Sequence, residues 1–217
     1  YINIGGSLYD VQLFFANEHA ADMRPDLAAA EMTDLITVKQ ADLTFGGFRT
    51  ECSYPIREVA MTLKNIHYIC GAATNELVDC GYTSPYCVPT KTTACGACVR
   101  CNYAKYKYTF RITPINGTTL IKSIQGFLKD YVYPSRLVPL YGTPVKTAVL
   151  AEDLDWTVGL YNAFTLLTST YLGPNADVVY KARTPYPTTD FSPYITAMAA
   201  AKVRLIVHIY SAPDSIA

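Results

Sequence analysis

The chain has 217 residues, with 18 basic and 18 acidic side chains and no net charge, which argues against nucleic acid or an anionic membrane as its main partner. Half of the residues are hydrophobic, enough for a sizeable core in one large domain or two small ones, and no apolar run approaches the roughly 18 residues that span a bilayer. Charged residues make up only 17%, below the roughly 25% of ordinary soluble domains, and there are 18 tyrosines, so Tyr, Thr, Ser and amides must cover much of an extracellular, glycosylated or assembly-buried surface.

In chain order, Tyr9–Phe15 alternates polar and apolar residues and predicts a strand. Pro25 suits the first turn of a helix running to about Ile36. Ala41–Phe45 reads as a short strand ended by Gly46-Gly47. A helix follows, with Pro55 near its start and Ile56, Val59, Ala60 and Leu63 on one face. Ile66–Cys70 is the next strand, and Gly71 to Thr74 the turn after it. Residues 78–102 lose all periodicity and hold Cys80, Cys87, Cys95, Cys98 and Cys101, five of the seven cysteines. The segment reads as an inserted loop stapled by disulfides if the protein is secreted; Cys95, Cys98 and Cys101 also have a spacing that could serve an iron–sulfur cluster, and Cys80 or Cys87 could serve as zinc or cluster ligands. Asn116-Gly117-Thr118 is an N-glycosylation sequon and supports the extracellular reading. No signal peptide is visible, so the chain reads as a mature chain or a fragment.

Lys105–Ile112 alternates cleanly and predicts a strand. Thr118 or Thr119 would cap a helix carrying Leu120, Ile124, Phe127, Leu128 and Tyr131, which Pro134 would end. Lys146–Asp214 then reads strand, helix, strand, helix, strand: Lys146–Leu150, a helix through Leu160, Phe164, Leu167 and Tyr171, Asp177–Tyr180, a helix from Ser192, and Val203–Tyr210. Such alternation predicts a parallel sheet with helices on its faces. Ligands then sit outside the carboxyl ends of the strands, which selects Glu152–Trp156, Pro185–Asp190 and Ser211–Asp214. Of these, Pro185–Asp190 reads as the lead-in to a helix.

The run from Ala148 to Leu160 resembles the start of the second lobe in type I periplasmic binding proteins, in the leucine/isoleucine/valine-binding branch of ABC transporters. Asp190-Phe191-Ser192 through Asp214, Gly46–Thr50, Gly71–Leu77, Phe110-Arg111 and Tyr1–Gly6 are similar to further motifs of that family, in the same order. The resemblance implies an α/β, two-lobed fold of parallel sheets flanked by helices, with the cysteine-rich segment as an insertion. The lobes would be residues 1–114 and 115–217. It also implies an incomplete chain, since the family has elements before Tyr1 and after Ala217.

Carried over residue by residue, the resemblance puts a ligand carboxylate on Thr50 and Thr74 and an ammonium on the Ala72 carbonyl and Asp214, with Trp156 packing on the ligand. Thr50 precedes a helix N-terminus, which favours an anion on physical grounds alone. As plain helix-start or turn residues, Thr50 and Thr74 would need no ligand at all. His67 and His208 fall inside strands and read as packed. No nucleophile motif or phosphate loop is present, Glu51 and Asp153 carry no mark of an acid/base pair, and neither an enzyme nor a cofactor is expected. The expected function is extracellular capture of a small amino-acid-like solute for the permease of an ABC importer, by hinge closure about Thr113–Gly117. Alternatives are a self-assembling cell-surface or filament protein and a ligand-sensing receptor module.

Overall fold

The computed structural model describes residues 1–78, 102–113 and 116–211. The chain folds as two units, Tyr1–Ala72 with Glu76–Thr113, and Ala73–Asn75 with Pro114–Ala217.

In the first unit, β1 (Ile2–Ile4) and β2 (Ser7–Tyr9) form an antiparallel hairpin. Gly5 and Gly6, both at positive φ, make the two-residue turn that such hairpins favour. The strand predicted over Tyr9–Phe15 stops at Tyr9. Val11, Leu13 and Phe15 have the right alternation but are exposed, and alternation alone makes no strand where, among the described residues, no neighbour pairs with it. Helix α1 (Pro25–Thr37) starts on its proline and buries Ala28 and Met32, one turn apart, against Cys52 and Ile56 of α2 (Thr50–Thr62). Strands β3 (Leu43–Gly46), β4 (Ile66–Ile69) and β5 (Thr109–Arg111) form a parallel sheet in that order. Thr44, His67, Ile69 and Thr109 are buried, whereas the exposed rings of Phe45 and Phe110 flank a half-buried Tyr68 in a ladder with centroids 4.9 and 5.6 Å apart.

The strand predicted over Lys105–Ile112 shrinks to three residues behind a single helical turn, α3 (Tyr103–Tyr106). Tyr106 is the cause: its hydroxyl donates to Glu58 at 2.6 Å and its ring lies under the buried Arg57 guanidinium at 4.3 Å. The ring therefore leaves the strand face that alternation assigns to it. Arg57 also donates to the Leu77 carbonyl at 2.7 Å.

In the second unit, α4 (Gly117–Gln125) is capped by Asn116 rather than by either threonine. Asn116 accepts from the Thr119 N–H at 2.9 Å, and the Thr119 hydroxyl reaches back to the Asn116 N–H, a reciprocal cap. The sequon asparagine is thus the capping residue. Pro134 does not end the helix. The chain widens to π-type winding over Gly126–Leu137, which absorbs the missing proline N–H, and continues into α5 (Val138–Tyr141).

Strand β6 (Val145–Glu152) lies between β7 (Ala176–Thr184) and β8 (Leu205–Ile209), all parallel. Helix α6 (Asp155–Leu166) and α7 (Thr168–Tyr171) replace the single helix expected to reach Tyr171. The Thr168 hydroxyl takes the Phe164 carbonyl at 2.9 Å, competing with the helix ladder at the break. Val145, Val149 and Ala151 pack with Leu160, Phe164, Tyr133 and Leu172 on one face of β6. Ala148 and Leu150 meet Met198 of α8 (Ser192–Ala200) on the other. Burial on both faces explains why Ala148–Ala151 is a continuous apolar run. Among the described residues no helix is long and apolar enough to cross a membrane.

Candidate functional site

Both units present loops at the carboxyl ends of parallel strands. In the first unit the loop after β3 is fixed by close packing. Gly47 has φ +86°, and a Cβ there would lie 2.6 Å from the Ser53 hydroxyl. The next loop is tied alongside, because the N–H groups of Gly71 and Ala72 donate to the Gly47 carbonyl at 3.0 and 2.8 Å. Thr50, the first residue of α2, is 1% exposed, and its hydroxyl has no partner in the described structure. Just upstream, the N–H groups of Gly47 and Phe48 donate to the Glu18 carboxylate at 2.8 and 3.1 Å. This end of the sheet therefore accepts a carboxylate, and the one it holds is the chain's own. The carbonyl of Ala72 accepts from Arg111 at 3.0 Å, so it already faces a cation.

Thr74 belongs to the second unit, with Ala73 and Asn75. Its neighbours tie it to α4: the Ala73 carbonyl accepts from the Gly117 N–H at 2.7 Å, and Asn75 donates to the Thr118 hydroxyl at 2.8 Å.

At the carboxyl end of β6 the second unit builds a denser arrangement. Trp156, in the first turn of α6, is partly buried against the core and donates its indole N–H to Glu152 Oε1 at 2.7 Å. Glu152 is 1% exposed. The same Oε1 accepts from the Ser211 hydroxyl at 2.6 Å and the Ser211 N–H at 3.2 Å, joining the ends of β6 and β8. Arg183, on β7, pairs with Asp153 at 2.8 Å and donates to the Leu154 carbonyl at 3.0 Å. Asp153 is thus half of an ion pair, and Glu51 lies in the other unit. Tyr210 bonds the Thr184 hydroxyl at 2.7 Å and stacks on His208 with centroids 4.3 Å apart. Burial lowers the His208 pKa, partly opposed by the negative charge of Glu152. In the loop before α8, Asp190 accepts from the Ser192 N–H at 2.9 Å, so it orders the helix start.

Asp214 and Cys80, Cys87, Cys95, Cys98 and Cys101 lie outside the described residues. Cys52 and Cys70 are free thiols, and Cys52 is buried. Among the described residues no cluster of three His, Cys, Asp or Glu could hold a metal. An open cavity of about 350 Å³ lined by Thr165, Thr168, Asp177 and Lys181 sits at the start of β7. That is the amino end of the strand, the wrong end for a ligand in a sheet of this kind.

Sequence reasoning singled out Trp156 but passed over Glu152. The signal was available: alternation from Ala148 and Leu150 carries Glu152 onto the same inward face.

Two parallel sheets flanked by helices, with polar groups gathered at strand carboxyl ends, define the fold of the type I periplasmic solute-binding proteins. Solved structures with this fold include an R. palustris ABC-transporter solute-binding protein in complex with 4-hydroxybenzoate (TM-score 0.59, 17% identity, 89% of this chain and 42% of that one). Another from R. palustris, in complex with benzoate, has TM-score 0.61 at 11% identity, over 90% of this chain and 44% of that one. A putative branched-chain amino acid ABC transporter from Silicibacter pomeroyi has TM-score 0.59 at 18% identity, over 94% and 45%. The chain thus spans less than half the length of these structures. No protein-family model matches it, and no curated protein sequence does.

Proposed function

We propose that this chain is part of a non-catalytic solute-binding protein that captures a small carboxylate, an amino acid or an aromatic acid, outside the cytoplasm and delivers it to the permease of an ABC importer. The observation that carries this reading is the carboxyl end of β6, where a buried Glu152 and a partly buried Trp156 gather at the strand end that binds ligands in parallel sheets. The solved structures of the same fold bind benzoates or are named for branched-chain amino acids, which supports a ligand of that size. In this reading Trp156 offers its ring to the ligand.

Calorimetry of the whole protein against leucine, isoleucine, valine, benzoate and 4-hydroxybenzoate tests it. At least one binds, and Trp156→Ala weakens binding roughly tenfold or more, the usual loss for a well-packed aromatic contact. Absence of binding across the set, or an unaffected Trp156→Ala, overturns the assignment.

A further inference from the structure

Glu152 is held by more than its structural task requires. Its Oε1 takes three donors, from Trp156 and twice from Ser211. Its Oε2 is buried and, in the described structure, takes none. No lysine or arginine among the described residues pairs with it. A glutamine would tie Trp156 and Ser211 equally well, since an amide oxygen accepts the same bonds. The negative charge and the second oxygen are therefore surplus to the tie between β6 and β8. A buried acceptor left without a donor is costly, and one at the carboxyl end of a central parallel strand stands where ligands sit.

We propose that Glu152 Oε2 is a specificity-determining acceptor that selects ligands carrying an N–H or O–H donor, an amino group or a phenolic hydroxyl, and excludes their carboxylate end from this position. This rests on the solute-binding reading above. It assigns a role to a residue distinct from Asp214. The Trp156 indole bonded to the same carboxylate orients it, and Ser211 fixes it from the far side.

Two ligand pairs test the proposal by calorimetry on the whole protein: L-leucine against 4-methylpentanoate, and 4-hydroxybenzoate against benzoate. Each pair differs by one donor, and the two pairs separate an amine from a phenol as its source. In at least one pair the donor-bearing member binds roughly tenfold tighter, as one charge-assisted hydrogen bond predicts. Glu152→Gln abolishes that preference, and Ser211→Ala, which keeps Oε2 and the main-chain N–H bond from residue 211, retains it. Equal binding within both pairs, or a preference that survives Glu152→Gln, overturns the assignment of Glu152 and leaves solute binding standing. No binding by any of the four overturns both. If Glu152→Gln fails to fold, Glu152→Asp, whose carboxylate retreats by one methylene, takes its place, and an intact preference there is equally fatal.

Discussion

His67 stands fully buried in β4, its Nδ1 3.0 Å from the Thr44 hydroxyl and its Nε2 without a partner. Burial, aided by the nearby Arg57 charge, lowers its pKa from 6.5 to about 4. The folded state therefore resists a proton that the unfolded chain accepts. Stability from the neutral ring is complete above pH 6.5, falls as the pH drops through that value, and stops falling below about 4. The loss amounts to about 3 kcal/mol across that window. Urea titrations of wild type and His67→Gln from pH 7 to 4 check this, and the variant should show the shallower decline. The position of His67 in a strand is legible in the sequence; its tie to Thr44 is not, because that contact crosses between strands separated by a whole helix. Glu152 and Trp156 show the same asymmetry. Which strand end they occupy can be read from periodicity, whereas the sharing of one oxygen with Ser211 depends on β8 lying beside β6.

Among the elements, the turn from β3 to α2 is the most tightly specified. Gly47→Ala brings a Cβ within 2.6 Å of the Ser53 hydroxyl in a backbone conformation that side chains avoid. It should cost about 1–3 kcal/mol. Gly5→Ala, at φ +59° with nothing within 4 Å of its Cβ, should cost less than about 1 kcal/mol. Thermal melting of the two variants compares them, and equal losses would remove the steric account. The strands and helices from β6 to β8 follow the sequence pattern closely, because each apolar run has a partner adjacent in the sheet. The exceptions share one cause. Tyr9–Phe15, Lys105–Tyr108 and Pro134 each carry a correct local signal that a non-local contact, or the lack of one, overrides. Tyr106 answers to Arg57, Val11 to the lack of a pairing neighbour among the described residues, and Pro134 to a helix held in the core by Leu128 and Tyr133 before it and by Leu137 and Val138 after it.

Across the whole molecule, the alternation of strands and helices made an α/β fold with parallel sheets legible. The ordering of strands within each sheet, and the pairing of Ala73–Asn75 with the second unit, were not, since periodicity has no term for which strand lies beside which. One residue shows what such long-range contacts accomplish. Arg57 grips the Leu77 carbonyl with one nitrogen and lies over the Tyr106 ring, while Glu58 beside it takes the Tyr106 hydroxyl. Leu77 and Tyr106, far apart in the chain, thus meet at one side chain. Arg57 is accordingly a keystone of the first unit: Arg57→Ala, which releases the Leu77 carbonyl and the Tyr106 ring together, should lower the melting temperature markedly, and an unchanged melt would remove that role.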